Sequence, residues 1–242
     1  MNNIVKIISN VPSYYHINEA FKTLRTNLFF AGENIKVVTI TSSDPDEGKS
    51  TVSLELAKSI SQVEKKVLYI DADMRKSNFT DRIVSSGSIK GLSHHLSSAI
   101  SIEDIIYPTQ YPCLDVICSG PFPPNPVELL DSMKFRRLLE TVRNVYDYVI
   151  IDTPPVGSVV DATIIASASD GVILVTASGN LTHRAAKEMK AKLERSKTCR
   201  IIGAILNKVD VNYRSHYNYY KQYYYSGSKS SSIYEKFDDT TN

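Results

Sequence analysis

Short apolar runs alternate with amphipathic stretches along most of the chain. β-Branched runs at 37–41, 67–73, 114–118, 148–152, 171–176 and 201–207 are too short for core helices and read as strands buried on both faces. Between them, apolar residues recur at three- and four-residue spacings. Ala20, Phe21, Leu24 and Leu28 make one such stripe, on a helix capped by Asn18. Further helices are predicted over 49–61, 91–98, 101–106, 132–145, 160–168 and 181–196. Residues 119–130 carry four prolines and read as one rigid loop. Strands that alternate with helices imply an α/β fold with a doubly wound, mostly parallel sheet flanked by helices.

Beyond Val211 the pattern stops. Residues 212–242 hold eight of the fifteen tyrosines, many serines and few aliphatic side chains, too little apolar surface to offset the entropy of ordering. The expected organisation is therefore one domain at 1–211 and a flexible tyrosine-rich tail at 212–242.

The turn between the first predicted strand and the 49–61 helix reads Ser43-Asp44-Pro45-Asp46-Glu47-Gly48-Lys49-Ser50-Thr51. This is a P-loop in outline. Its backbone N–H groups and helix N-terminus suit phosphate, its lysine reaches the β/γ oxygens of a nucleotide, and its serine hydroxyl suits magnesium. Ser43 replaces the usual first glycine, a mild change if φ stays below zero. An ordinary strand-to-helix turn is the plainer reading, and the carboxylates at other strand ends weigh against it. Asp152 ends the 148–152 strand, where P-loop proteins hold magnesium directly or through water; a capped turn is the alternative. Asp71 and Asp73 alternate at the end of another strand and so face one way. Two carboxylates in one site raise a pKa while a metal lowers it, so one suits proton acceptance and the other metal binding. Arg75 is either a phosphate-facing charge or a surface residue.

Composition changes this picture little. The 28 basic and 26 acidic residues are interspersed, which gives no electrostatic case for nucleic acid. The basic run at 184–200 contains Glu188 and Glu194 and reads as a solvated helix face. Three cysteines without a CxxC pair oppose a zinc site or a disulfide framework. No apolar run approaches the ~18 residues of a spanning helix, and the first ten residues lack a signal peptide's apolar core.

SSDPDEGKST, LYIDADMR and VIIDTPP resemble the Walker A, A′ and B motifs of the bacterial tyrosine kinases of capsular and exopolysaccharide synthesis, P-loop proteins related to the partitioning and division-site ATPases. The likeness extends through EAFKTLRTN, GPFPPNPVELL and the tyrosine-rich end. It implies an ATP- and magnesium-dependent protein tyrosine kinase. Lys49, Asp71, Asp73 and Asp152 would be catalytic, with Asp71 the first choice to assist the tyrosine hydroxyl. Residues 43–51 and Asn207 would bind nucleotide, and Ser50, Asp73 and Asp152 would hold the metal. Tyr213, Tyr217, Tyr219, Tyr220, Tyr223, Tyr224, Tyr225 and Tyr234 would be acceptors. The implied partners are a transmembrane polysaccharide co-polymerase that activates the kinase at the inner face of the membrane, a phosphotyrosine phosphatase, protein substrates and further copies of the chain. The protein would otherwise be cytoplasmic.

Ring assembly would run through the first helix. The family's Glu-x-x-Arg-x-x-Arg pattern is Glu19, Lys22, Arg25 here, so the middle residue lacks a forked donor. Asp44 stands where the partitioning ATPases carry a signature lysine, which disfavours a switch ATPase without kinase activity. A non-catalytic nucleotide-binding scaffold is the third reading.

Overall fold

The computed structural model describes residues 4–8, 11–12, 14–179, 183–194 and 199–209. In chain order the elements are β1 (Lys6–Ile7), α1 (Tyr15–Phe30), β2 (Val37–Ser42), α2 (Lys49–Ser61), β3 (Val67–Asp71), a 3-10 turn at Thr80–Arg82, β4 (Ile83–Val84) and α3 (Leu92–Ser97). Then follow β5 (Tyr107–Pro108), β6 (Leu114–Ile117), α4 (Pro126–Leu130), α5 (Met133–Val145), β7 (Tyr148–Asp152), α6 (Asp161–Ser167), β8 (Gly171–Ala177), α7 (His183–Glu194) and β9 (Ile201–Asn207).

Seven strands form one sheet in the order β5-β6-β3-β7-β2-β8-β9. All neighbours are parallel except β5 and β6. Helices α1 and α2 cover one face, where Leu28, Leu54 and Ile60 meet Ile40, Tyr69 and Ile150. On the other face, Phe135, Leu138 and Val142 of α5 and Ile165 of α6 meet Val37, Leu68 and Ile151. Burial on both faces explains why β2, β3, β7 and β8 are near-continuous apolar runs.

The expected doubly wound sheet is present, with several local differences. The first helix starts at Tyr15, and Asn18 lies inside it rather than at its cap. Residues 101–106 form turns, not a helix. The loop at 119–130 ends in α4, because Pro126 sits at the first helical position, where a missing N–H is harmless. Strand β3 stops at Asp71, so Asp73 belongs to the following turn.

Two-residue strands escaped the periodicity reading. β1 pairs antiparallel with β4, with Ile7 opposite Ile83, and so ties the start of the chain to the segment after β3. Among the described residues no helix is long and apolar enough to cross a membrane.

Candidate active site

The centre of the sheet determines which side chains meet. β3, β7 and β2 are adjacent, and their registers set Asp71 opposite Asp152 and Asp152 opposite Ile40. The strand ends therefore bring both aspartates beside the loop that leaves β2. That loop needs a left-handed turn at Gly48, φ 90°, and a Cβ there would come within 2.2 Å of Asn207 Nδ2. Asp46 also sits at positive φ, 60°, without a glycine's freedom. Ser43 is not among the positive-φ residues, so its substitution for glycine is sterically harmless.

Glu47 supports the loop from within. Its carboxylate accepts the Ser43 and Asp44 N–H groups at 2.9 and 3.0 Å, and the Ser43 hydroxyl at 3.1 Å. The other oxygen takes the Thr176 hydroxyl at 3.0 Å and the Ala177 N–H at 3.2 Å. Burial pushes its pKa up, but these donors outweigh it and hold the carboxyl below its usual range. From the sequence alone Glu47 has no role beyond membership of the loop. Asn207 donates to the Glu47 carbonyl at 2.9 Å, joining the loop to the end of β9. On the far side Gly157 N–H bonds Ser43 O, and a Cβ at Gly157 would lie 2.1 Å from that oxygen.

Lys49, first in α2, donates to Ser50 Oγ at 3.2 Å and to Asp73 Oδ2 at 3.4 Å. Burial disfavours its charge, yet the fields of Asp152, Asp73 and Asp71 raise its pKa. The ammonium is thus retained in a half-enclosed site. Asp71 is fully buried and its pKa is pushed up to about 7, by desolvation first and then by Asp152, with the Ser77 hydroxyl opposing. Ser77 Oγ donates directly to Asp71. Asp152 is also raised by burial, with Lys49 opposing. Its Oδ2 takes the Tyr69 hydroxyl at 3.4 Å, a long contact, and its Oδ1 is buried without a partner.

Asp73 reaches the site from a turn, not from the strand. Its Oδ1 accepts the N–H groups of Arg75 and Lys76 at 3.3 and 3.0 Å, leaving Oδ2 to Lys49. Arg75 is a surface residue, one of the two readings its position suggested. Its guanidinium makes a two-pronged pair with Asp161 at the start of α6.

A magnesium ion fits the donors present. A hydroxyl, Ser50 Oγ, and the unpartnered oxygen of Asp152 are hard ligands, and Asp73 adds a carboxylate beside Lys49. Among the described residues there is no cluster of three or more His, Cys, Asp or Glu side chains that could hold a metal ion by themselves.

The proposed assembly residues divide. Lys22 pairs with Glu19 at 2.7 Å on the exposed face of α1, whereas Arg25 donates to Ser59 O of its own α2 at 2.7 Å. The eight tail tyrosines, from Tyr213 to Tyr234, lie outside the described residues.

Three comparisons place this geometry among known proteins. A family model described as an AAA domain matches residues 35–201. Tyrosine-protein kinase CpsD of Streptococcus agalactiae is 44% identical over 201 residues, covering 83% of this chain and 87% of that protein. Tyrosine-protein kinase YwqD of Bacillus subtilis strain 168 is 40% identical over 205 residues, covering 84% and 86%. Among solved structures, the kinase domain of the Escherichia coli tyrosine kinase ETK superposes with a TM-score of 0.75 at 36% identity, over 83% of this chain and 81% of that one.

Proposed function

The chain belongs to the bacterial tyrosine-protein kinases built on the AAA domain, and from that premise we propose that it transfers the γ-phosphoryl group of ATP to tyrosine hydroxyls, first to those of its own C-terminal cluster. The observation that carries the reading is the meeting of Lys49, Asp71, Asp73 and the unpartnered Asp152 oxygen at one end of the sheet. Lys49 and the loop N–H groups receive the phosphates. Ser50, Asp73 and Asp152 would hold a magnesium ion, which would supply neutralisation of the phosphate charge. Asp71 accepts the proton as the tyrosine oxygen bonds to the γ-phosphorus and the bond to the ADP oxygen breaks. An ordinary aspartate is a poor proton acceptor from a phenol, and a pKa near 7 brings Asp71 closer to the task. Asn207, beside the loop, would contact the adenine.

In this reading residues 1–211 form the kinase domain and 212–242 carry the acceptors. Transfer runs in trans between copies assembled in a ring through α1. Glu19 and Lys22 are exposed and suited to such a contact, while Arg25 supports α1 on α2. A transmembrane co-polymerase activates the kinase at the inner face of the membrane, and a phosphatase reverses the reaction, so that tail phosphorylation regulates capsular or exopolysaccharide synthesis and export. Several phosphates, each adding about −1.5 to −2 charges, repel neighbouring tails and loosen the assembly.

The test incubates the purified chain with labelled ATP and identifies the phosphoamino acid. Phosphotyrosine on the wild type, and none on Lys49→Met, is expected. A Lys49→Met chain mixed with a chain lacking 212–242 should acquire phosphotyrosine. Its failure to do so rules out transfer in trans, and normal labelling of Lys49→Met alone overturns the site.

A further inference from the structure

Arg82 is the last residue of the 3-10 turn after β3, and its backbone is held on both sides. Its N–H bonds Phe79 O at 2.9 Å, and its carbonyl accepts the Ile8 N–H at 2.8 Å, an extension of the β1–β4 pairing. From this fixed root the guanidinium reaches α2. Both terminal nitrogens donate to Thr51 Oγ1, each at 3.1 Å. Thr51 is the third residue of α2, two beyond Lys49.

The electrostatics of this placement are incomplete as they stand. Arg75 and Arg143 each have a carboxylate partner, Asp161 and Asp170. Among the described residues Arg82 enters no ion pair; its side-chain partner is a neutral hydroxyl. The first turn of a helix presents free N–H groups and a positive dipole end, which disfavours a cation. A half-buried guanidinium beside that turn becomes favourable once an anion lies between them. Lys49 and the three aspartates occupy the end of the site where the γ-phosphate and metal belong. Arg82 lies by Thr51 in the first turn of α2, next to the loop whose N–H groups suit the α/β-phosphates.

We propose that Arg82 is a nucleotide-binding residue that holds the α-phosphate of ATP and ADP. The proposal deepens the kinase reading above and rests on it. Arg82 thereby adds a second cation to Lys49: the lysine serves the phosphate that moves and the arginine the phosphate that stays. It also explains why a two-residue strand at the beginning of the chain is paired to β4, since that pairing fixes the arginine's backbone.

The experiment titrates ADP with magnesium into the full chain, and repeats the titration with the two diastereomers of ADP thiolated at the α-phosphate. Wild type should bind ADP and distinguish the diastereomers. Arg82→Ala should weaken ADP about ten- to hundredfold, as loss of a charge-assisted contact does, and should lose the discrimination. Arg82→Lys should bind between the two, because it keeps the charge and loses the fork. Circular dichroism confirms that each variant is folded; if Arg82→Ala is not, Arg82→Lys carries the test through the diastereomer ratio. Equal ADP affinity and an unchanged ratio in a folded variant overturn the role of Arg82 and leave the kinase reading standing. Absence of ADP binding by wild type overturns both.

Discussion

Arg75, in the turn after β3, and Asp161, first in α6, meet as a fork: Nε donates to Oδ2 at 2.8 Å and Nη2 to Oδ1 at 3.1 Å. Asp161 is buried while a third of the Arg75 side chain is exposed. The pair fastens the turn after β3 to the start of α6, and Asp73, which accepts the Arg75 N–H, is oriented by the same turn. Arg75→Lys should alter stability by no more than about 1 kcal/mol, because the partly exposed pair is screened. It should nonetheless raise the magnesium concentration for half-maximal phosphorylation several-fold, since lysine cannot reproduce the fork. An unchanged magnesium titration would separate Arg75 from the metal site.

Glu47 satisfies five donors with two oxygens. In Glu47→Gln one oxygen becomes an NH2 group facing donors, which should lower the unfolding free energy by about 2–3 kcal/mol. Urea denaturation measures it. A variant as stable as wild type would mean that the loop is not anchored to β8 by this carboxylate.

Asp46→Gly should be neutral or stabilising, by up to about 1 kcal/mol, because the residue sits at φ 60°. Asp46→Val should destabilise by more than that, since a β-branched side chain tolerates this region least. The two denaturation midpoints should fall on opposite sides of, or at and below, that of wild type. A valine variant as stable as the glycine one would refute the strained turn.

The metal-free chain should lose stability as pH rises from about 4 to 7. Asp71 has a folded pKa of about 7 against an ordinary 3.8, so the fold favours its protonated form and the advantage disappears through that interval. Asp152 shifts in the same direction. Glu47 shifts the other way, and its contribution is lost only as pH falls below about 4.5. Lys49 stays charged throughout the interval, as its pKa is raised from 10.5. The Asp71 effect is at most on the order of 4 kcal/mol. Asp71→Asn should flatten the profile of urea midpoints, and a wild-type midpoint that climbs with pH would contradict the burial of these carboxylates.

Lys49, Asp71 and Asp152 were legible because each stands at the end of a strong local pattern, an apolar run followed by polar chemistry. Asp73 was placed near the right partners for the wrong reason: strand alternation suggested its direction, whereas a turn stabilised by its own carboxylate supplies it. Arg75 was ambiguous because its partner is 86 residues away and nothing local encodes the pairing. Arg82 was invisible for a related reason. Its position depends on β1 and β4, two residues each, shorter than any window in which periodicity can be counted. Residues 101–106 looked helical by pattern, yet so short a segment follows its tertiary surroundings rather than its propensity. Glu47 could have been suspected as an acidic residue next to the glycine of a phosphate loop, where a free carboxylate would repel phosphate; its bonds to backbone N–H groups remove that objection.

The strand order has a consequence for synthesis. β2 carries the phosphate loop, yet its two neighbours, β7 and β8, emerge from the ribosome last but for β9. At about 5–20 residues per second, the loop waits roughly 6 to 25 seconds after its own translation before both strands that flank it exist. A nascent chain stopped before Gly171 has β2 as an open edge and Glu47 without its Thr176 and Ala177 donors. The apolar β2 segment is then a target for chaperones or for a neighbouring nascent chain on the same message. The phosphate loop gains its full set of contacts only once the seventh and eighth strands of the chain have closed around the second.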